Sequence, residues 1–270
     1  MDSETYQWAE KVEQFPEDSP EVRQLSDISE NHACVAGPGA RTSAARPLAP
    51  ENDMERFAHS YVHPDFVCKE VLYLRVKRAF DILLASGGLL FLWPLMLLAV
   101  ALIKLTSHGP IIFKQVRVGR GGRYFMCYKF RSMCVDAEDR KHALHHLNEM
   151  DGPVFKIKRD PRITPVGAFI RKFSIDEMPQ LWNVLRGDMS IVGPRPPVPP
   201  EVEEYGDHER GRLAVQPGLT CLWQINGRSN IAFEQWVELD LQYIETMSFM
   251  NDVIIVLKTI PAVLSGTGAH

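Results

Sequence analysis

One stretch of the chain decides its fold: Ile82-Leu-Leu-Ala-Ser-Gly-Gly-Leu-Leu-Phe-Leu-Trp-Pro-Leu-Met-Leu-Leu-Ala-Val-Ala-Leu-Ile103. Its 22 residues carry no charge. At 1.5 Å per residue, a straight helix of this length spans about 33 Å, which is enough to cross the hydrocarbon core of a bilayer. The run is also longer than the buried core helices of soluble domains usually are. We therefore expect a helix that inserts into a membrane.

Two features of this run bear on how it enters the membrane. Trp93 and Pro94 lie near its middle, where a proline removes a backbone hydrogen bond and kinks or breaks a helix. Basic residues flank the run on both sides, so the charge asymmetry that orients a single span is absent. These residues are Arg75, Lys77 and Arg78 before it, and Lys104, Lys114, Arg117, Arg120 and Arg123 after it. A re-entrant helix that bends at Trp93-Pro94 and a single-span anchor both remain open on the residues alone.

Residues 1–66 have the composition of a disordered, acidic tail. Residues 1–70 carry 14 acidic and 6 basic side chains, whereas residues 71–270 carry 20 acidic and 24 basic ones. The segment 33–50 is rich in Ala, Gly and Pro and has no hydrophobic period, so it cannot bury enough apolar surface to offset the entropy of ordering. The chain opens without a charged segment followed by an apolar one, so we expect no signal peptide.

The cysteines favour a reducing, cytosol-facing environment. There are five of them, an odd number, and no two are spaced as Cys-x-x-Cys. This pattern indicates neither a disulfide framework nor a zinc site.

Residues 109–270 have the pattern of a compact α/β domain that is mostly helical. Strand candidates at 110–113 and 124–130 flank a basic, Gly-rich turn, which predicts a hairpin. Thr164 followed by Pro165 is typical of a helix start, because Thr caps a helix and Pro suits its first turn. We expect that helix to run to about residue 172. Further helices are predicted over residues 136–150, 201–212 (a charged surface helix), 233–247 and 250–264.

The last of these segments, residues 250–264, is apolar but is interrupted by Lys258 and Pro261. Such a helix either lies in the membrane interface with its apolar face in lipid or packs that face against the domain. The residues alone leave both alternatives open.

Two adjacent carboxylates stand in the stretch Ser174-Ile-Asp-Glu-Met-Pro-Gln180. Apolar residues follow at helical spacing, and Pro179 fits only the first turn of a helix. This places Asp176 at or near the N-cap, where free backbone N–H groups and the helix dipole favour a charged anion. By itself, the Asp176-Glu177 pair is most simply interpreted as a helix cap.

Several basic residues are placed to meet an anionic ligand. Lys129 and Arg131 stand one residue apart, so both lie on one face if the strand continues, with solvated strand ends as the alternative. Arg171 lies five residues before Asp176. Arg195 lies in the stretch Gly193-Pro-Arg-Pro196, whose rigid backbone is suited to fix a guanidinium group.

Six motifs, in this order, resemble those of the bacterial sugar transferase family, the monotopic polyprenyl-phosphate glycosyl-1-phosphate transferases. The resemblance covers about residues 72–268. The motifs are Lys77-Arg-x-Phe-Asp81, Gln115-x-Arg-x-Gly119, Lys129-Phe-Arg-Ser-Met133, Asp176-Glu-x-Pro-Gln-Leu-x-Asn-Val-Leu-x-Gly-Asp-Met-Ser190, Gly193-Pro-Arg-Pro196 and Trp223-Gln-x-x-Gly-Arg228. Cys221 departs from the pattern, since the family often has Gly at this position.

The resemblance implies a specific reaction. A sugar-1-phosphate moves from a UDP-sugar to undecaprenyl (polyprenyl) phosphate, with release of UMP, as the first membrane step of exopolysaccharide, capsule or O-antigen synthesis. Mg²⁺ is the implied cofactor, and the membrane helix is implied to be re-entrant, with its break at Trp93 and Pro94. Asp176 is implied to be the nucleophile that forms a covalent phospho-sugar intermediate, and Asp176 and Glu177 to hold the metal. The residues implied to bind substrate or phosphate are Lys129, Arg131, Arg171, Arg195, Gln224 and Arg228.

The expected fold is therefore an α/β (mostly α) monotopic membrane protein. It has a tail (1–66), a re-entrant membrane helix-hairpin with basic flanks (67–108), and a compact cytosolic catalytic domain with amphipathic interfacial helices (109–270). We expect it on the cytosolic face of a bacterial inner membrane. Its expected partners are the UDP-sugar, polyprenyl phosphate and membrane lipid, with no nucleic acid. A homodimer and other glycan-assembly proteins are the candidate protein partners.

The identity of the transferred sugar and the class of reaction both remain open to alternatives. The stretch Arg195-Pro-Pro-Val-Pro-Pro200 resembles members that handle hexoses such as glucose or galactose. One alternative function is a membrane-anchored scaffold in which Asp176-Glu177 is only a cap. The other is a phosphohydrolase that cleaves nucleotide sugars with water and needs no lipid acceptor.

Overall fold

The computed structural model describes residues 64–150, 152–226 and 231–265, with side chains from residue 72 onward. The chain divides into two units, Met1–Pro47 and Leu48–His270, and the described residues all belong to the second. The predicted tail of residues 1–66 lies outside the described residues, apart from residues 64–66, which begin the first helix.

The first element is a helix of 43 residues, α1 (Pro64–Thr106), which contains the uncharged run. By length and composition its part Leu72–Thr106 could cross a membrane, and it is the one helix among the described residues that meets this test. Helical backbone continues through Trp93 and Pro94, where we expected the re-entrant break. A proline removes one backbone hydrogen bond, and a long apolar helix tolerates that loss.

Both ends of the apolar part of α1 are held on the rest of the domain. Before it, Arg78 donates hydrogen bonds to the carbonyl oxygens of Val184 and Leu185 at 2.6 and 2.7 Å. After it, Nη2 of Arg131 donates to the carbonyl oxygen of Ser107 at 3.0 Å. The middle of α1 is an exposed apolar surface. Its exposed side chains include Leu83, Leu90, Phe91, Trp93, Leu97 and Leu98.

The predicted hairpin is confirmed. Strands β1 (Ile112–Val118) and β2 (Tyr124–Phe130) pair antiparallel, with Gln115 opposite Cys127. The turn between them uses Gly121 at a φ of 63°, a conformation that glycine adopts without strain. The first strand is longer than expected, because β-branched residues continue it as far as Val118.

Two short helices follow the hairpin. Helix α2 (Asp139–Ala143) is shorter than the predicted 136–150, since the side chain of Asn148 accepts hydrogen bonds from the backbone N–H groups of Met150 and Lys156 and folds this part as a loop. Helix α3 (Pro165–Lys172) has the predicted bounds, and the Thr164 hydroxyl accepts the N–H of Gly167 as its N-cap.

The C-terminal half adds a second, two-stranded sheet. Helix α4 (Gln180–Arg186) leads into β3 (Ser190–Val192), which pairs in parallel with β4 (Gly218–Thr220). The elements around β4 are α5 (Pro199–Glu203), α6 (Asp207–Arg210), a 3₁₀ turn (Gly211–Ala214), α7 (Leu222–Ile225), α8 (Phe233–Glu245) and α9 (Phe249–Ser265).

The predicted surface helix over 201–212 is wrong in two respects. Gly206 separates α5 from α6, because its extended backbone interrupts the helix. Glu201 and Arg212 are buried rather than exposed. By contrast, α8 and α9 lie within two residues of their predicted bounds.

Two apolar clusters hold α1 against the rest of the domain. Ala85 of α1 packs with Val184 of α4 and Ile255 of α9. Further along, Ile103 packs with Ile170 of α3 and with Ile175, which follows α3. The segment that joins α3 to α4 is therefore held directly against the membrane-capable helix.

Candidate active site

A sharp turn between α3 and α4 carries the two adjacent carboxylates. It is a 3₁₀ turn, Ile175–Glu177, with the buried side chain of Ile175 holding it on the core. Ser174 precedes it with a φ of 54° and is the one non-glycine residue with a positive φ among the described residues. Residues other than glycine rarely adopt this backbone conformation, and such strained backbone is concentrated at functional sites.

The expectation that Asp176 caps the following helix is wrong. Pro179 occupies the N-cap position of α4, and no side chain caps that helix. The extra 3₁₀ turn places Asp176 one turn earlier in the chain, so its carboxylate does not lie at the α4 N-terminus. A helix cap is therefore no longer an explanation for the pair.

The pKa values of the two carboxyl groups are shifted in opposite directions. Burial of Asp176, together with the neighbouring Glu177 carboxylate, raises the pKa of Asp176 from 3.8 to about 6. Burial also opposes ionisation of Glu177, but the Lys129 ammonium 2.7 Å away outweighs it, so the pKa of Glu177 lies below its usual value. A helix N-terminus was expected to lower the pKa of Asp176, whereas burial and Glu177 together raise it.

The ion pair between Lys129 and Glu177 joins β2 to the carboxylate turn across 48 positions of sequence. Lys129 was expected to bind phosphate, and the structure places it on Glu177 instead. Its side chain is 23% exposed and still borders the cavity, so it can also meet a ligand there.

The guanidinium of Arg195 stacks on an aromatic ring. Its central carbon lies 5.3 Å from the ring centre of Trp236. Within the described part of the chain, this guanidinium makes no hydrogen bond or ion pair. Arg212 lies 5.3 Å from the same ring and forms an ion pair with the buried Asp240 at 2.8 Å. Arg195 is thus a cation held in place by packing.

Sequence reasoning missed the residues that support Arg195. Trp236 and Asp240 are four positions apart on α8 and so share one face of that helix. The signal in the sequence that could have found them was the carboxylate of Asp240 on an otherwise apolar helix face. Arg117 was also missed: its Nη1 donates to the carbonyl oxygen of Pro196 at 2.8 Å and thereby fixes the backbone next to Arg195. This contact joins residues 79 positions apart, which no local pattern reveals.

Arg131 holds the end of α1. Its Nη2 donates to both the carbonyl and the hydroxyl oxygen of Ser107, and the side chain is buried.

Lys156 is a further cation at the cavity. Burial and the nearby Arg195 lower the pKa of Lys156 to about 8.

A cavity of about 1440 Å³ brings most of the predicted site residues together. Its lining includes Lys129, Arg131, Arg171, Asp176, Glu177, Arg195 and Gln224. Arg228 lies in the segment 227–230, outside the described residues. Trp93 and Pro94 are not part of the cavity lining.

Comparison with known proteins identifies the family. The model of the family described as "Bacterial sugar transferase" matches residues 72–266, most of the chain. The chain belongs to the bacterial sugar transferase family.

Three relatives of this sugar transferase differ in how much of their own length this chain covers. The chain is 52% identical to "Galactosyl transferase CpsE" of Streptococcus agalactiae over 73% of this chain and 44% of that protein. It is 40% identical to "Exopolysaccharide production protein ExoY" of Rhizobium meliloti over 80% of this chain and 100% of that protein. It is 44% identical to "Undecaprenyl-phosphate galactose phosphotransferase" of Salmonella typhimurium over 72% of this chain and 42% of that protein. The chain thus spans less than half of two of these relatives and the whole of the third.

Within this sugar transferase, Cys221 is accommodated without strain. Its backbone is extended, with a φ of −155°, which any residue adopts, and its side chain is buried. The departure from glycine at this position therefore leaves the backbone beside the cavity intact.

Proposed function

We propose that this sugar transferase moves a sugar-1-phosphate, most simply a hexose-1-phosphate, from a UDP-sugar to undecaprenyl (polyprenyl) phosphate and releases UMP. The observation that carries the proposal is the pairing of the buried Asp176 with the partly exposed Glu177 in a cavity that is bordered by several cations and by the membrane-capable helix α1. The names of the Salmonella and Rhizobium relatives support the lipid acceptor and a role in exopolysaccharide synthesis.

The reaction proceeds in two displacement steps at the same phosphorus. A carboxylate oxygen of Asp176 attacks the phosphorus that bears the sugar, and the bond from this phosphorus to the bridging oxygen breaks, so UMP leaves with the electron pair. A phosphate oxygen of the lipid then attacks the same phosphorus, and the bond to Asp176 breaks, which regenerates the carboxylate. The raised pKa of Asp176 supports this role, because a more basic carboxylate is a better nucleophile while remaining mostly ionised above pH 7.

Cations are needed because both substrates and the nucleophile are anionic. Arg171 and Arg195 border the cavity and lower the barrier by neutralising the phosphate oxygens as the bond breaks. Lys129 borders the same cavity and can do the same, while its charge keeps Glu177 ionised.

The carboxylate pair also fits Mg²⁺. This ion takes oxygen ligands and typically uses one or two carboxylates together with substrate phosphates. Among the described residues no group of three or more His, Cys, Asp or Glu side chains is placed to hold a metal. Asp176 and Glu177 would hold the ion, which when bound neutralises charge on the diphosphate.

Lys129 is expected to control the acid side of the pH profile. Its positive charge lowers the pKa of Asp176, so kcat/KM of the wild type should fall as pH drops through about 6. Lys129→Met should move this fall to higher pH and reduce kcat/KM roughly 100-fold at pH 7.5, as for other lost charge-stabilising groups. Lys158→Met, which removes an exposed cation outside the cavity, is the control. An acid limb that stays in place or moves to lower pH would contradict the assignment.

We further propose that α1 is re-entrant, so that the protein is monotopic on the cytosolic face of the membrane. Arg78 before the exposed apolar middle and Ser107 after it both contact the same domain, which supports a path that enters and leaves on one side. Helix α9 adds an exposed apolar row at helical spacing, which supports an interfacial position. The row consists of Met250, Ile254, Leu257, Ile260 and Leu264.

Topology can be tested by cysteine labelling in a variant without native cysteines. Arg75→Cys and Lys114→Cys should both react with a membrane-impermeant maleimide from the cytosolic side only. Phe91→Cys, in the exposed apolar middle of α1, should remain unlabelled from either side. Labelling of positions 75 and 114 from opposite faces would rule out re-entry and favour a single span.

The reaction itself is tested with purified protein, a panel of UDP-sugars, undecaprenyl phosphate and Mg²⁺. The expected result is release of UMP together with a lipid-linked sugar, with the best substrate in the panel naming the sugar. A scaffold releases no UMP with any sugar. A phosphohydrolase releases UMP at the same rate without the lipid acceptor and labels no lipid.

A further inference from the structure

The loop that follows α2 brings two neighbouring side chains of different chemistry to the cavity. Asn148 folds this loop, because its side-chain oxygen accepts the N–H of Lys156 at 2.7 Å and its side-chain nitrogen donates to the carbonyl oxygen of Val154 at 3.3 Å. Val154 and Ile157 are buried and anchor the loop. Phe155 and Lys156 lie between these two anchors in the chain, and both border the cavity.

The ring of Phe155 is held in place by a buried guanidinium group. The central carbon of the Arg162 guanidinium lies 5.2 Å from the ring centre. Arg162 is itself fixed, since it is buried in an ion pair with Asp160 at 2.6 Å and its Nη1 donates to the carbonyl oxygen of Ala137 at 3.0 Å. The Phe155 side chain is only half-buried, so part of it remains open to a flat ligand group in the cavity.

Lys156, the next residue, is close to a second cation. Burial and then the like charge of Arg195 lower the pKa of Lys156 to about 8. Arg195 is packed on Trp236, with its central carbon 5.3 Å from the ring centre, so it is held near Lys156. Because two like charges repel each other, an anion that both can contact stabilises the pair.

We propose that this loop binds the nucleoside monophosphate half of the donor, with the base on the Phe155 ring and the phosphate between Lys156 and Arg195. The proposal rests on the proposed function and adds where the leaving group lies. Aromatic rings stack on nucleobases, and ammonium and guanidinium groups bind phosphate through charge-assisted hydrogen bonds. Lys156 then stabilises the negative charge that develops on UMP as its bond to the sugar-bearing phosphorus breaks.

Trp236, another aromatic side chain of the cavity, is a poorer platform for the base. The guanidinium groups of Arg195 and Arg212 both lie 5.3 Å from its ring centre. Trp223 packs on the same ring, with the two ring centres 4.4 Å apart. These three neighbours already occupy the surroundings of Trp236, whereas Phe155 stands next to the phosphate-binding Lys156.

The test separates base from phosphate with three probes, UMP, uridine and ribose 5-phosphate. Their dissociation constants are measured on the full chain in a membrane mimetic at pH 7, without lipid acceptor. Phe155→Leu should weaken UMP and uridine by at least about 10-fold and ribose 5-phosphate by less than about 2-fold. Lys156→Gln should weaken UMP and ribose 5-phosphate by about 10-fold and leave uridine within about 2-fold of wild type.

Two further variants serve as controls. Phe155→Tyr keeps the ring and should bind all three probes as the wild type does. Phe249→Leu removes an exposed aromatic ring outside the cavity and should also leave all three unchanged. Circular dichroism and denaturant unfolding check that each variant is folded.

The position of the base is overturned if folded Phe155→Leu binds UMP as the wild type does, or loses all three probes equally. If Phe155→Leu does not fold, Lys156→Gln decides: unchanged binding of UMP, or an equal loss of uridine, overturns the proposal. Wild-type protein that transfers sugar while these variants keep normal UMP binding refutes only this nucleotide site. Wild-type protein that binds no UMP and transfers no sugar refutes the proposed function itself.

Discussion

Asp176→Asn is expected to abolish transfer, with kcat at least about 1,000-fold below wild type, because the amide cannot form the phospho-sugar intermediate. UMP release in single-turnover experiments should disappear as well, since the first step needs the nucleophile. Glu177→Gln keeps the nucleophile and should retain measurable UMP release. Asp139→Asn, an exposed carboxylate outside the cavity, should behave as wild type.

The same substitution should stabilise the fold at neutral pH, which separates loss of chemistry from loss of structure. The pKa of Asp176 is about 6 in the folded protein and about 4 in the unfolded chain, so folding takes up a proton between these values. The stability of the wild type therefore falls as pH rises from about 4 through about 6. Above that, Asp176→Asn should gain about 1–3 kcal/mol, a gain that shrinks as pH falls towards 4.

Denaturant unfolding at pH 5 and pH 7.5 measures this gain. An inactive variant that is also less stable than wild type at pH 7.5 would indicate a structural role for Asp176. A variant that keeps more than a tenth of wild-type activity would exclude Asp176 as the nucleophile.

Lys77→Met is expected to have the largest effect on stability, a loss of about 3–5 kcal/mol. Nζ of Lys77 lies 3.0 Å from a carboxylate oxygen of Asp252, which is fully buried, and 2.9 Å from the carbonyl oxygen of Val192. Removing the ammonium leaves the buried Asp252 carboxylate with only the hydroxyl groups of Tyr243 and Tyr73 as side-chain partners among the described residues. The pair joins α1 to β3 and α9, so its loss should loosen the membrane-capable helix from the domain.

A double variant distinguishes this electrostatic cause from a simple packing defect. Lys77→Met with Asp252→Asn removes both charges and should recover part of the stability that Lys77→Met loses. Arg75→Met, on the exposed side of the same helix, should change stability by less than about 0.5 kcal/mol. Unfolding of Lys77→Met within 1 kcal/mol of wild type would show that the ion pair contributes little.

Elements with a local cause could be predicted from sequence. Thr164 and Pro165 start α3 because a cap and a proline act within one turn. The hairpin follows from alternating apolar residues around a glycine turn, and α1 follows from an uncharged run of 22 residues. The order of six motifs was enough to indicate the family, which the comparisons confirm.

Predictions failed where the cause is remote in sequence. The pairing of β3 with β4 joins Ser190 to Gly218, and the short, Gly-rich strands carry no alternation that would reveal it. The surface position predicted for residues 201–212 was wrong because Arg212 is buried in an ion pair with Asp240 on α8.

The sequence by itself determined which groups are available: two adjacent carboxylates, a set of cations and an uncharged run, in an order typical of sugar transferases. The tertiary structure decided what those groups do. Burial raises the proton affinity of Asp176, while Lys129 keeps Glu177 ionised. Both effects depend on distances between residues far apart in the chain and on exclusion of water, so they exist only once the cavity between α1, β2 and α9 has formed.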